Sequence, residues 1–310
     1  MAFDLRSLPN SGCRKKCNQE DRILVTADGI CLLTISSLDS GLVRCVGEWA
    51  YEKIHWLTRY FGIFSSGMKY KWDGLNYVEI CSGPGRCILR DSGDEIDGTA
   101  LSIVNHDSFN IIKKGIFIDN NQDSVEILNL RIRNLNKGSI AEAIIGDYHD
   151  VSGIVDILDK LSQRHLNLVF LDPTDCSISF NLIKRIDEVL NNVDFIINIA
   201  IGTDLSRNIQ KAILNQRFDV TRKYIKFLGN ADYFRDKDVI LAAKNNQLGK
   251  MRLAFLEEYK KSLGTIGYKY IDVVSVRHYY DLLFASKHST GLKFWNEARR
   301  EEANGQRSLF

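Results

Sequence analysis

This 310-residue sequence predicts an α/β protein built on a doubly wound, mostly parallel sheet that ends in an antiparallel hairpin. Three observations predict it. Apolar runs of strand length alternate with helical patterns from residue 77 to residue 215, the order that a parallel sheet with crossover helices requires. Several of those runs end on a glycine turn or a carboxylate, which gathers polar groups at the carboxyl edge of such a sheet. Two later apolar runs, 268–276 and 279–285, are separated by Arg277-His278 alone and therefore pair antiparallel.

Residues 1–44 are turn-rich and irregular, and Cys13, Cys17, Cys31 and Cys45 lie in or just after them. From Gly47 a helix is expected, with Ala50, Ile54, Leu57 and Phe61 on one face. A strand at 77–81 breaks into Gly83-Pro84-Gly85, and a polar loop follows at 90–98. The alternation then runs strand 115–118, helix 122–134, strand 140–145, helix 151–162, strand 167–171, helix 178–190, strand 193–200 and helix 204–215. Residues 216–236 are basic and aromatic, and one long helix is expected over 237–262. With the hairpin, this is the strand order of class I methyltransferases, seven strands with the last reversed. The boundaries are a Cys-containing segment at 1–45, a helix and connector at 46–76, and a Rossmann-like main domain at 77–288. That domain carries a basic helical insert at about 204–262, and a helix and tail at 289–310 complete the chain.

Composition sets bounds on function. With 45% apolar and 26% charged residues this is an ordinary soluble composition, and a net charge of +2 gives no overall field to announce nucleic acid. No apolar run reaches the length of a membrane span and the amino terminus has no signal-type apolar core, so a cytoplasmic protein with no membrane partner is expected. Seven cysteines at irregular spacing fit reduced thiols better than a disulfide framework.

The run Tyr77-Val78-Glu79-Ile80-Cys81-Ser82-Gly83-Pro84-Gly85-Arg86 carries the chemistry. Its glycines let the backbone turn sharply and approach a ligand. Three positions after Gly85 stands Ile88, so the third glycine of a dinucleotide site is missing. S-adenosyl-methionine, which has no pyrophosphate to cradle, fits better. The expected cofactor set is Glu79, Cys81, Gly83, Gly85, Asp119 and Asp147, with Glu79 toward the amino-acid end, Asp119 on the ribose hydroxyls and Asp147 beside the adenine. The plainer alternative is that these acids cap the helices that follow them. Asp172-Pro173-Thr174-Asp175 is where a methyl-transfer catalyst would lie, with Asp172 and Pro173 as the candidates; amine methyltransferases add a second proline and an aromatic ring there. The alternative is a structural turn.

Three further features each have two readings. Cys13, Cys17, Cys31 and Cys45 are a candidate zinc set, against free thiols. Arg217, Arg222, Lys223 and Lys226, beside Tyr224 and Tyr233, are a candidate DNA or RNA surface in which tyrosines stack on bases, against a solvated helical face. Ser286-Lys287-His288 looks catalytic, but at the end of a reversed strand it falls on the edge opposite the cofactor, while Tyr279 and Tyr280 fall nearer to it.

Several stretches resemble the three-Cys-motif partner protein family, a bacterial and phage-associated group with a methyltransferase-like domain. They are Val46-Gly47-Glu48-Trp49-Ala50-Tyr51-Glu52-Lys53, Met68-Lys69-Tyr70-Lys71-Trp72, Gly83-Pro84-Gly85-Arg86 and Leu171-Asp172-Pro173. The most specific are Phe284-Ala285-Ser286-Lys287-His288, Gly291-Leu292-Lys293-Phe294-Trp295-Asn296-Glu297 and Gln306-Arg307-Ser308-Leu309-Phe310. The resemblance implies a methyltransferase fold and a radical-type partner protein. It departs from the family pattern at Glu79, where Asp is usual, and at Thr174, where an aromatic is usual. Two functional classes follow: an S-adenosyl-methionine-dependent methyltransferase acting on nucleic acid, and a non-catalytic methyltransferase-fold protein that binds a neighbouring radical-type enzyme or nucleic acid.

Overall fold

The computed structural model describes residues 34–215 and 218–300. Its main sheet contains β2 (Leu75–Ile80), β5 (Lys114–Asp119), β6 (Ala141–Ile145), β7 (Leu166–Leu171), β8 (Val193–Ile199), β9 (Tyr270–Val276) and β10 (Tyr280–Ser286). The spatial order is β6-β5-β2-β7-β8-β10-β9. Pairings from β6 through β8 are parallel, and β10 runs antiparallel to both β8 and β9. Renumbered by appearance in this sheet, the order is 3-2-1-4-5-7-6, which is the expected class I methyltransferase arrangement. β2, β7 and β8 are buried along their whole lengths, as strands covered on both faces must be.

The chain order reverses between β2 and β7. From β2 the chain steps outward to β5 and β6 and then returns to β7 on the other side of β2. The loops after these two adjacent strands must part, which opens a crevice at their carboxyl ends. Register puts Ile80 beside Leu171, so the residues that follow each strand, Cys81 and Asp172, meet at that crevice.

The helices are α1 (Trp49–Met68), α2 (Thr99–Val104), α3 (Gln122–Asn134), α4 (Val151–Leu158), α5 (Phe180–Leu190), α6 (Ser206–Leu214), α7 (Phe218–Leu228), α8 (Lys237–Lys244), α9 (Leu248–Thr265) and α10 (Ser289–Arg299). The expected apolar stripe of α1 is present at Ala50, Leu57 and Phe61, and Tyr60, Phe64 and Met68 extend it. Asn121 and Asp150 cap α3 and α4 by accepting from backbone N–H groups, as short polar side chains at this position do. The hairpin turns at Arg277 and His278, both at positive φ, which matches a primed turn to the twist of the strands.

Two expectations are corrected. The long helix over 237–262 is two helices, α8 and α9, broken at 245–247, where Asn246 takes φ +55 and ends the first. The polar loop over 90–98 contains strand β4 (Glu95–Asp97), which pairs with β3 (Arg86–Leu89) and, through it, with β1 (Arg44–Val46) in a second small sheet. Glu95 ties this sheet to the preceding segment by accepting from the Ser36 and Ser37 hydroxyls and the Ser37 N–H. Among the described residues no helix is long and apolar enough to cross a membrane.

Candidate active site at the carboxyl ends of β2 and β7

Two adjoining cavities lie at the crevice. The larger, about 360 Å³, is bounded by the turn at Gly83-Pro84-Gly85, by Lys53 and Trp49 of α1, by Asp172 and Pro173, by Asn198 at the end of β8, and by Tyr279 and Tyr280 of the hairpin. The smaller, about 170 Å³, holds Asp119, Asn120, Gly146 and Tyr148. Arg44, Cys81, Asp172, Pro173 and Thr174 border both. Together they form one elongated recess that runs from the end of β6 to the hairpin.

The glycine turn is built tightly. Gly83 and Gly85 have φ of +61° and +83°, in the region that favours glycine. They differ in surroundings. A Cβ on Gly83 would meet nothing nearer than Arg44 at 3.8 Å, whereas one on Gly85 would stand 2.7 Å from Leu128 and 2.9 Å from Leu101. Gly83 therefore gives backbone access to the cavity, and Gly85 packs the turn onto the core. Cys81 also takes a positive φ, +70°, an uncommon conformation for a side-chain-bearing residue and one that gathers at functional turns. Burial holds its thiol well above the usual cysteine range, so its part here is played by the backbone rather than by a thiolate nucleophile.

Arg131 of α3 braces the same turn from behind. It is buried and donates to the carbonyls of Pro84, at 2.6 Å, and Leu42, at 2.8 Å. It also forms a two-bond pair with Asp39, the bidentate geometry that a guanidinium offers a carboxylate. That contact holds the Asp39 carboxyl well below the usual carboxylate range.

The expected carboxylates separate into different environments. Asp119 ends β5; its Oδ2 accepts from the Gly83 N–H at 2.8 Å and its Oδ1 from the Asn121 N–H at 3.0 Å. It joins the glycine turn to the smaller cavity, which it also lines. Asp147 is exposed, accepts from the His149 N–H in its own loop and does not line the cavity; its neighbours Gly146 and Tyr148 do. Glu79 is fully buried outside the lining of either cavity, accepting from the Thr99 hydroxyl at 2.5 Å and the Tyr77 hydroxyl at 2.7 Å.

Burial raises the Glu79 carboxyl from 4.5 to about 8. The folded protein thus holds this proton more tightly than the unfolded chain does. The stability it contributes is full below pH about 4.5 and is lost as pH rises through about 8. Glu79→Gln should remove this dependence. Between pH 5 and 7.5 the wild type should lose stability relative to the variant by up to about 1.4 kcal/mol per pH unit, measured by urea unfolding at several pH values. Parallel pH profiles would contradict the assignment.

Asp172 is held from two sides. Lys53 Nζ lies 2.5 Å from its Oδ2, and Asn198 Nδ2 donates to its Oδ1 at 2.7 Å. Lys53 also lies 5.3 Å from the Trp49 ring centroid and 5.9 Å from that of Tyr280, near two aromatic faces that favour a cation. No sequence motif singles out Lys53 or Asn198, yet both interrupt apolar patterns: Lys53 within the buried stripe of α1, and Asn198 in the buried strand β8. A polar residue in such a place needs a partner, and here the shared partner is Asp172.

The nucleic-acid expectation on α7 changes in its parts. Arg217 lies outside the described residues. Lys223 is paired inward, 2.6 Å from Asp204 and 3.3 Å from Asp175. Tyr224 and Tyr233 are buried in the core, their hydroxyls donating to Asp204 and to the Met251 carbonyl, so neither ring is free to stack on a base. Arg222 and Lys226 are exposed. Of the candidate zinc ligands, Cys13, Cys17 and Cys31 lie outside the described residues, and Cys45 is half-buried in β1, in no disulfide among the described residues. No group of three or more His, Cys, Asp and Glu suited to a metal occurs among the described residues. Lys287 pairs with Asp187, and Trp295 donates to Asp272 and stacks on Phe284. Neither lines the recess, whereas Tyr279 and Tyr280 do.

No protein-family model and no curated protein matches the chain. Among solved structures it is similar to an O-methyltransferase from Bacillus cereus determined with SAH, at 9% identity over 78% of this chain and 82% of that one, with a TM-score of 0.40. It is also similar to cofactor-bound Rv0187 from MTB, at 11% identity over 74% and 79%, with a TM-score of 0.40. A third is protein LPL1258 from Legionella pneumophila, at 11% identity over 84% and 94%, with a TM-score of 0.47.

Proposed function

We propose that this protein is an S-adenosyl-methionine-dependent methyltransferase whose acceptor is brought to Asp172. The observation that carries this is the meeting of the Gly83-Pro84-Gly85 turn, Asp119 and Asp172 in one recess where the chain order reverses between β2 and β7.

The residues present fit the cofactor. Asp119 lines the smaller cavity and keeps acceptor capacity beyond its two backbone bonds, which suits a ribose diol. Tyr148 offers a ring in the same cavity, and its hydroxyl is tied to Ser177 at 2.8 Å. Arg44 borders both cavities next to Gly83 and has no carboxylate partner among the described residues, so it suits the cofactor's own carboxylate. Glu79 acts beneath the turn, through Thr99, rather than on the ligand. When bound, S-adenosyl-methionine supplies a methyl group on a sulfonium, ready for in-line displacement.

The chain's own residues do the rest. Lys53 and Asn198 fix the Asp172 carboxylate, which takes a hydrogen bond, and then the proton, from the acceptor amine or hydroxyl. Pro173 fixes the backbone that follows. Trp49 and Tyr280, with ring centroids 4.6 Å apart, wall the recess and exclude water. Catalysis of this kind rests on positioning more than on covalent chemistry.

The test is binding of S-adenosyl-homocysteine to Asp119→Ala. Losing the ribose partner should weaken binding by about 1–3 kcal/mol while Asp147→Ala, outside the lining, leaves it unchanged. Equal affinities of wild type and Asp119→Ala would place the nucleoside elsewhere.

A further inference from the structure

Asn198 carries an unmet acceptor at the heart of the recess. It lies near the carboxyl end of β8, is 1% exposed, and borders the larger cavity. Its Nδ2 donates to Asp172 Oδ1 at 2.7 Å, while its own Oδ1 has no hydrogen-bond partner among the described residues. The amide cannot be turned over to relieve this, because its carbonyl oxygen would then face the Asp172 carboxylate. Two acceptors therefore stand side by side, the carboxylate and the carboxamide oxygen. The carboxylate oxygens each accept one bond, Oδ1 from Asn198 and Oδ2 from Lys53 at 2.5 Å, and each keeps a lone pair for another donor. A buried carbonyl oxygen is costly to leave without a donor.

This pair of acceptors separates the groups that a methyltransferase can modify. A hydroxyl has one hydrogen and meets one acceptor. A primary amine has two and meets both, and its lone pair then stands out of the plane of its two N–H bonds. The amine must be uncharged. An alkylammonium has no lone pair, and Lys53, bonded to the same carboxylate, repels it. Conjugation to an aromatic ring keeps a nitrogen neutral. The walls suit such a ring. Thr174 stands where an aromatic would follow Asp172-Pro173, but Trp49 of α1 and Tyr280 of β10 bring rings to the same place from other elements. Their centroids are 4.6 Å apart and lie 5.3 Å and 5.9 Å from Lys53 Nζ. Lys53 in turn touches Asp172, and Asp172 touches Asn198, so rings, carboxylate and carboxamide form one connected cluster.

We infer that the acceptor is a planar aromatic compound bearing a neutral primary amine, which gives one N–H to Asp172 and the other to Asn198 Oδ1. This rests on the methyltransferase reading of the same site and narrows its acceptor from amine or hydroxyl to amine, with Asn198 setting the preference. In the transfer the nitrogen lone pair forms the new C–N bond as the C–S bond of the sulfonium breaks, its electron pair passing to sulfur. The surplus N–H proton goes to Asp172, and the remaining N–H stays on Asn198.

The experiment titrates three isosteric quinolines into the full chain saturated with S-adenosyl-homocysteine, followed by ligand-observed NMR at a pH where all three are uncharged. 6-Aminoquinoline, 6-hydroxyquinoline and 6-methylquinoline offer two, one and no donor hydrogens on one frame. Wild type should bind the amine about tenfold more tightly than the hydroxyl compound, and that about tenfold more tightly than the methyl compound. In Asn198→Leu the amine and the hydroxyl compound should bind within about twofold of each other. Affinity of that variant for S-adenosyl-homocysteine should stay within about twofold of wild type, which also reports that it is folded. The inference is overturned if wild type binds none of the three, or binds the hydroxyl or methyl compound as tightly as the amine. Those outcomes stand whether or not the variant folds. It is also overturned if Asn198→Leu keeps the full preference for the amine, as it would if water alone meets Oδ1. Loss of S-adenosyl-homocysteine binding in a folded Asn198→Leu overturns it too, by assigning Oδ1 to the cofactor. Failure of wild type to bind S-adenosyl-homocysteine sinks the methyltransferase reading, and the three quinolines titrated without it then judge the amine site alone.

Discussion

Lys53→Met should destabilise the protein by about 3–5 kcal/mol, because it leaves the Asp172 carboxylate in a buried site without its cation. Both side chains are nearly enclosed, at 9% and 10% exposure, so water in the recess they border replaces the lost ammonium only in part. The Asn198 amide still donates to Asp172 but carries no charge. Asp172→Asn in the Lys53→Met background should recover most of the loss, since a neutral amide needs no counter-ion. Urea unfolding of the wild type, both single variants and the double variant gives the coupling energy directly. If Lys53→Met costs under about 1 kcal/mol, the pair behaves as a surface contact and does not hold Asp172 in place.

The second large effect concerns the two glycines of the turn, which should respond unequally. Gly83→Ala incurs the left-handed backbone cost, about 1–2 kcal/mol, because its Cβ has room. Gly85→Ala carries that cost and also drives its Cβ into Leu128 and Leu101, two buried core side chains. Overpacking of this kind adds about 1–3 kcal/mol. Thermal unfolding should therefore rank the wild type first, then Gly83→Ala, then Gly85→Ala. Equal losses would mean that the core behind Gly85 yields, and that only backbone conformation governs the turn.

Both predictions rest on contacts between residues far apart in the chain, and that distance explains what the sequence could and could not reveal. The alternation of strands and helices was legible because each element carries its own period. The helix expected at 122–134 is α3, and the hairpin turns at Arg277-His278 as its spacing implied. The small sheet was not legible, because β1, β3 and β4 are three or four residues long and are held by Glu95 reaching back to Ser36 and Ser37.

At the site, Gly83, Gly85, Asp119 and Asp172 are all found in or at the recess, because a parallel sheet delivers every strand end to one edge. Their partners Lys53 and Asn198 lie on other elements, and only a polar residue in an apolar pattern hinted at them. Asp147 and Glu79 show the opposite limit. Both end or lie near the end of strands, but side-chain direction sends one into its own loop and the other under the turn. The tyrosines of the basic segment mislead for a related reason. Tyr224, Phe227 and Leu228 share a buried helical face of α7, and their spacing of three and four residues is a packing signal that the surrounding arginines and lysines obscure.

The measurement that tests the central claim most directly is calorimetric titration of the full chain with S-adenosyl-homocysteine. The recess at the ends of β2 and β7 predicts one site per chain with affinity in the micromolar range, about −8 kcal/mol, weakened by Asp119→Ala and indifferent to Asp147→Ala. Absence of binding up to millimolar ligand, or binding that Asp119→Ala leaves untouched, would contradict it.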